Sequence, residues 1–351
     1  MKKVSALRLG LAFTGSFLGA GYVSGQELWQ FFGRFGAGAL PGLVLAMALI
    51  GVFGVLIMEL SRRTGILEMD RLVIERDIPL LRSAMSVLQT VMLFGFVVIM
   101  CAGSAALCRQ QWGVPTVVGG AVFSAVVAAV SLLGLTGLVN VFSALVPALS
   151  VVTVIAAAVV LSRTGMSVPG AAEESFGGWP VSAGLFFAYN VFGVIGVLIP
   201  LGHLPENGKT LRRGVAIGCV GLAVIAVGVL AAMFVVPSSE DAELPMLAIV
   251  TEYLPWLATP YALVLIAVMF GASLACLLAL VTFLEEKFAA FRTYRVLWTA
   301  VIMTAALVGS FAGFSDLIGI VYPVFGWCGV GFLVLLVLHW YHVRQKEKTA
   351  R

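Results

Sequence analysis

Apolar runs of about 20 residues recur from one end of this 351-residue chain to the other, and the charged residues fall almost entirely between them. That is the length a helix needs to cross a hydrocarbon core about 30 Å thick. The composition agrees: 61% of residues are apolar, 11% are charged, and the mean hydropathy is +1.09. A soluble domain is typically about 45–50% apolar and about 25% charged, so the surplus apolar surface needs lipid as its solvent. Lys2, Lys3 and Arg8 precede the first run as they would in a signal peptide. That run continues without a small-residue cleavage site, which marks it as a retained first span. Five cysteines (Cys101, Cys108, Cys219, Cys276 and Cys328) form no CxxC pair and sit in or beside apolar runs. They read as small buried fillers, with no disulfide framework, metal site or cofactor implied.

Spans are expected at 6–32, 38–61, 81–107, 114–134 and 137–161, then at 181–203, 212–236, 259–284, 295–311 and 314–341. The fourth and fifth are divided only by Gly134-Leu-Thr-Gly137, and the ninth and tenth by Ala312-Gly-Phe-Ser315. If the segments between spans alternate sides, 18 of the 21 Lys and Arg residues share one side with both termini, and only Arg34, Arg109 and Arg163 lie on the other. The positive-inside rule therefore predicts an even number of spans and both termini in the cytoplasm. The connection at 237–258 has no Lys or Arg and contains Glu240, Asp241, Glu243 and Glu252. The mixed-charge stretch 62–80 is expected as an amphipathic segment at the inner surface. Nothing suggests a soluble domain, so residues 1–351 are read as one transmembrane domain.

The first span contains Gly15, Gly19, Gly21 and Gly25, four glycines in eleven residues. Each costs about 1 kcal/mol against alanine in a helix. Close helix packing accounts for them, because small residues at four-residue spacing let backbones approach. An interrupted helix whose freed backbone groups line a cavity accounts for them equally well. The sixth span tips the balance with Phe186-Phe-Ala-Tyr-Asn190-Val-Phe-Gly193-Val-Ile-Gly196. It again places glycine and a polar side chain in mid-membrane, at the corresponding position of a second set of five spans. Interruptions at matching positions in two halves point to an inverted-repeat transporter. The expected fold is thus an all-α membrane protein of about ten helices in a 5+5 inverted repeat. The repeats cover about 6–161 and 181–341, with spans 1 and 6 broken near 19–21 and 190–193.

The run Gly19-Ala-Gly-Tyr-Val-Ser-Gly-Gln-Glu27, followed by Trp29-Gln-Phe-Phe-Gly-Arg-Phe-Gly36, resembles the first helix of the bacterial YkvI-like membrane proteins. The resemblance implies the amino acid–polyamine–organocation superfamily, the LeuT-type fold and a place in the bacterial inner membrane. A weaker similarity to the neurotransmitter:sodium symporters lies in Ser273-Leu-Ala275 and Phe283-Leu-Glu-Glu286. A LeuT-type site implies that Ser16, Gly19, Ala20 and Gly21 of span 1, with Phe187, Asn190 and Phe192 of span 6, bind solute. Phe94 to Met100 of span 3 would form a wall. The solute expected is small and polar or zwitterionic, most plausibly an amino acid or related amine. In sodium-coupled relatives one ion sits between span 1 carbonyls, here those of Gly15 and Leu18, and hydroxyls of span 8. The alignment places Gly271 and Ala272 where those hydroxyls belong, with Ser273 one position away and Thr153 and Ser150 on span 5 as substitutes. Glu27 is the one carboxylate well inside an apolar span, roughly 10 Å outward of Gly21 if the intervening segment is helical. Such a group usually faces a cavity or a partner. A structural glutamate near the outer interface and a proton-coupling group are both open readings.

Other polar residues read more simply. Asp316 is a helix N-terminal acid or an outer-gate residue. His203 and Glu206 are interfacial, and Glu59, Glu285 and Glu286 pair locally with Arg62, Arg63 and Lys287. Trp29, Trp112, Trp179, Trp256 and Trp340 form an aromatic belt. The chain has no HExxH, no GxSxG and no mid-membrane histidine, so an enzyme is not expected. A sensor or scaffold on a transporter fold is the rival from another class. Proton-coupled or uncoupled transport is favoured over sodium symport, and the solute, the direction of transport and the oligomeric state stay open. Cysteine-accessibility mapping in cells should leave both termini unlabelled by an impermeant reagent added outside, and labelling of either would overturn the topology.

Overall fold

The computed structural model describes residues 4–74, 78–133, 145–165, 177–236, 239 and 242–349. The expected fourth–fifth link at 134–137 and Lys2, Lys3, Arg76, Glu240 and Asp241 lie outside these. The described residues are almost entirely helical. The first span is divided into α1 (Ala6–Phe17), α2 (Ala20–Ser24) and α3 (Gln26–Phe31), followed by a 3-10 turn at Gly33–Gly38. Then come α4 (Ala39–Thr64), α5 (Met69–Val73), α6 (Pro79–Trp112), α7 (Thr116–Leu132) and α8 (Leu145–Thr164). The second half holds α9 (Gly178–Gly202), α10 (Gly208–Val235), α11 (Pro245–Tyr253) and α12 (Pro255–Lys287). It ends with α13 (Ala289–Thr293), α14 (Arg295–Ser310) and α15 (Phe314–Thr349).

Seven helices among the described residues are long and apolar enough to span a bilayer, and α7 and α14 are shorter apolar helices. With the divided first span they make ten, in the order expected. Outward-facing Val117, Val122, Val224, Val301 and Val308 are exposed, as a surface solvated by lipid tails requires. The basic ends gather at one pole of the bundle. There Arg212 binds Glu59 at 2.8 Å, Ser61 meets His203 Nε2 at 2.9 Å, and Val4 N–H reaches the Leu204 carbonyl. Glu59 thus pairs across two spans, as well as with neighbouring Arg63. Helix α5 turns Leu72 and Val73 inward while Arg71 pairs with Glu68 on its exposed side, and His339 of α15 bonds the Leu72 carbonyl at 2.8 Å.

Helix packing follows the glycines. Span 1 lies on span 7 and span 6 lies on span 2, the pairing that a two-fold axis between the halves produces. Where α1 crosses α10, a methyl group on Gly214 would fall 2.6 Å from the Leu9 side chain. One on Gly218 would fall 2.6 Å from Phe13 and 3.0 Å from the Gly10 carbonyl. Where α15 crosses α9, Gly326 and Gly329 admit the carbonyls of Leu185 and Ala188 in the same way.

The sixth span corrects an expectation. Helix α9 runs unbroken from Gly178 to Gly202, through Asn190 and Gly193. Asn190 needs no break to be satisfied, because its amide donates to the Phe186 carbonyl one turn back at 3.0 Å. Gly193 and Gly196 act by leaving room, since no atom lies within 3.4 Å of a side chain built at either. Trp29 packs on Phe234, and Trp179 packs over Gly38 and Gly42. Cys328 is exposed rather than buried. The packing makes a measurable difference between two glycines. Gly218→Val overpacks the α1–α10 crossing and should cost about 1–3 kcal/mol, seen as a lower midpoint of thermal unfolding in detergent. Gly196→Ala meets open space and should leave the midpoint unchanged or raise it. Equal losses would show that the crossing does not depend on close approach.

Candidate functional site

The break in span 1 starts from the backbone. After Phe17 the chain leaves helical geometry at Leu18 (φ −77°, ψ 103°) and Gly19 (φ −103°, ψ 173°) before α2 begins. The last carbonyls of α1 and the first amides of α2 therefore lack intrahelical partners. Gly25 then turns the chain a second time with a left-handed φ of +88°. A side chain there would also strike Met233 Sδ at 2.9 Å and Val229 at 3.1 Å, so the site demands glycine twice over. Two tyrosines hold the short α2 in place. Tyr22 donates to the Leu222 carbonyl of α10 at 2.7 Å, and Tyr261 of α12 donates to the Val23 carbonyl at 3.0 Å.

The second turn redirects Glu27. Instead of lying far outward of Gly21, its Oε2 comes within 3.1 Å of where a Gly21 Cβ would sit. The kink at Gly25 breaks the straight helix on which the distance of roughly 10 Å was reckoned, and helical side chains lean toward the N-terminus. Glu27 is 4% exposed. Its carboxylate accepts the Tyr189 hydroxyl and the Asn190 amide (3.3 Å), both from α9. Among the described residues none of the ion pairs includes it. The Tyr189 ring lies between Tyr322 of α15 (centroids 4.5 Å apart, planes at 27°) and Phe31 of α3 (5.5 Å, 27°).

A cavity of about 220 Å³ opens beside this group. The break supplies Ser16, Phe17, Leu18, Gly19, Ala20 and Glu27 to its wall; α9 supplies Tyr189, Asn190, Gly193 and Val194. Phe96 and Met100 come from α6, Ala272 and Cys276 from α12, and Tyr322 from α15. Of the residues expected to bind solute, Ser16, Gly19, Ala20 and Asn190 meet here. Gly21 lies behind Glu27. Phe187 and Phe192 do not reach the cavity, because they face away along α9 toward Phe53 and Phe332. Of the ion-site residues, Leu18 lines the cavity and Gly15 does not. Ser273 is fully buried, and its Oγ has no hydrogen-bond partner. The Thr153 hydroxyl is committed to the Leu149 carbonyl (2.9 Å) and Tyr261 (3.2 Å). Sequence reasoning passed over Tyr189 and Tyr322. The signal available was the spacing of Phe186, Tyr189, Asn190 and Gly193, which puts all four on one helical face.

Toward the pole opposite the basic one, an interhelical clasp sits above Glu27. Glu243 Oε2 accepts the Ser315 N–H at 2.7 Å, at the start of α15, while Gln26 and Gln30 of α3 donate to the Ser315 hydroxyl. Gln110 of α6 exchanges two bonds with the backbone of Leu244, at 3.1 and 3.2 Å. Glu243, not Asp316, is thus the acid that bonds the free amide of α15. Cys276 in the cavity wall offers a native reporter for this clasp. With the other four cysteines replaced by alanine, Glu243→Ala should speed maleimide modification of Cys276 several-fold. Equal rates would show that the clasp does not control access.

No family model matches the chain. It is 24% identical to the uncharacterised membrane protein YkvI of Bacillus subtilis (strain 168) over 338 residues, covering 95% of this chain and 96% of that one. It is 26% identical to the uncharacterised protein YyaD of the same organism over 334 residues, covering 94% and 95%. Among solved structures, the inward-facing conformation of Mhp1 matches with a TM-score of 0.64 at 14% identity, over 98% of this chain and 78% of Mhp1. A substrate-bound, outward-open Na⁺-coupled sialic acid symporter matches at 0.63 and 14% identity, over 96% and 79%. The chain is therefore similar to YkvI and YyaD over nearly its whole length, and it is built on the LeuT-type fold.

Proposed function

We propose that this protein is a secondary transporter that moves a small amine-bearing solute, an amino acid or related amine, by alternating access. The basic pole faces the cytoplasm in this reading, with both termini inside the inner membrane. The observation that carries the reading is the carboxylate of Glu27, buried without a countercharge beside a break in span 1 and at the wall of a solute-sized cavity. A buried ionisable group in a membrane span is costly to place and commonly marks an ion or substrate path. Unwound backbone at that depth is tolerated where it lines a cavity, as it does here. The fold supports the reading, since one structural neighbour is by name a Na⁺-coupled sialic acid symporter.

Glu27 is the proton-carrying group in this scheme, and transport is proton-coupled or uncoupled rather than sodium-coupled. A sodium reading rests on one observation, the unpartnered Ser273 hydroxyl beside Ala272. Even with the span 1 carbonyls, one span 8 hydroxyl is a thin ligand set for sodium, which would have to leave most of its hydration shell behind. Asn190 holds the Glu27 carboxylate and presents the rest of its amide to the solute.

The test is uptake into proteoliposomes. Accumulation driven by a pH gradient should persist when sodium is replaced by potassium and fall at least about tenfold in Glu27→Gln. Asn190→Ala should weaken solute binding by the worth of a buried amide contact, about 1–3 kcal/mol or roughly five- to 150-fold, while the protein still folds. Uptake that requires sodium and ignores Glu27 would overturn the coupling. Saturable binding without flux in either direction would favour a sensor on a transporter fold.

A further inference from the structure

Among the described residues, the cavity wall holds one carboxylic acid and no base. Around Glu27 stand Tyr22 on α2, Tyr189 and Asn190 on α9, Tyr322 on α15 and Cys276 on α12. All of these are neutral near pH 7, and among the described residues no Lys, Arg, His or second carboxylate lines the wall. The two groups that bond the carboxylate, the Tyr189 hydroxyl and the Asn190 amide, are neutral donors, so they orient its charge without cancelling it. A carboxylate so placed is strongly disfavoured unless something positive joins it. Only two kinds of species can do so from within the cavity: a proton on the carboxylate, or a cation beside it.

A zwitterion fits poorly. Its own carboxylate would share about 220 Å³ with Glu27, with no basic side chain to hold the two acids together, and like charges at short range repel. The remaining wall suits an organic cation. Phe96, Tyr189 and Tyr322 supply aromatic surface, and aromatic faces attract ammonium groups where water is excluded.

We propose that the solute is a small organic ammonium ion without an ionised carboxylate, and that proton and solute occupy Glu27 by turns. This rests on the reading of the cavity as the solute site and narrows it. Because each species neutralises the same carboxylate, the two cannot be bound together. One proton leaving Glu27 as one monovalent ammonium ion arrives keeps the charge of the site constant, so the coupled cycle is an electroneutral exchange.

The test uses the full-length protein in lipid nanodiscs with butylammonium as probe, norvaline as the zwitterion and 1-pentanol as the neutral analogue. Calorimetry should show butylammonium binding at pH 8 that weakens toward roughly tenfold per pH unit once Glu27 is protonated. Binding in weak buffer should release protons into solution in the pH range where Glu27 is partly protonated. Norvaline and pentanol should bind at least about tenfold more weakly. Glu27→Gln should abolish butylammonium binding, and Glu27→Asp should retain part of it. The wild-type pH profile and the proton release carry the test even if Glu27→Gln does not fold. Norvaline binding as tightly as butylammonium, butylammonium binding that ignores pH, or equal competition by sodium or potassium would each overturn the proposal. Flux separates this from the broader reading. Butylammonium binding with the expected pH dependence but no flux removes transport and supports the ammonium site. Norvaline flux without butylammonium binding does the reverse.

Discussion

Lipid offers the backbone no hydrogen bonds, so a chain in the bilayer must bond every amide to itself or hide the exception. This protein hides one large exception. At Leu18 and Gly19 the first span leaves helical geometry, and the rest of the bundle encloses that interruption. Helix α10 packs along α1, α9 closes one side of the break through Tyr189 and Asn190, and α12 reaches the end of α2 through Tyr261. The Glu27 carboxylate depends on the same arrangement. Its two donors come from an unbroken helix, which sets both on one face opposite a segment that bends twice. The asymmetry between a continuous span 6 and a twice-bent span 1 lets the acid be gripped without being paired.

The glycines divide by task. Those at the α1–α10 and α9–α15 crossings, such as Gly214, Gly218, Gly326 and Gly329, let backbones approach, the means by which helices associate when lipid removes the hydrophobic drive between them. Gly25 instead supplies a conformation that other residues rarely adopt. Gly21 does neither. It leaves space that the Glu27 carboxylate occupies, so an alanine there would disturb an electrostatic contact before a packing one.

Ten spans and their order were legible in the sequence because length, hydropathy and the distribution of Lys and Arg are local or additive signals. The break in span 1 was legible too, since four glycines in eleven residues weaken a helix wherever it lies. Span 6 misled because the same residue types have two uses. Asn190 and Gly193 can interrupt a helix or serve one, and only the partners of Asn190 decide which. Phe187 and Phe192 were misplaced because the face of α9 that meets span 1 is set by the tertiary packing of α4 and α15. The position of Glu27 relative to Gly21 depended on the sign of one φ angle at Gly25. The clasp at Glu243 joins residues more than seventy positions apart, and nothing in local pattern announces such a pairing.

The two tyrosine bonds on α2 have a mechanical meaning. Tyr22 fastens this five-residue helix to the Leu222 carbonyl, and Tyr261 fastens its Val23 carbonyl to α12. The side-chain hydrogen bonds of α3 run the other way, through Glu27 to α9 and through Gln26 to α15. The left-handed turn at Gly25 is the single residue between the two helices so anchored. A movement that parts α10 and α12 from α9 and α15 would therefore be felt first at that residue. It would act as a pivot, with α2 travelling on one plate of the protein and the carboxylate on the other.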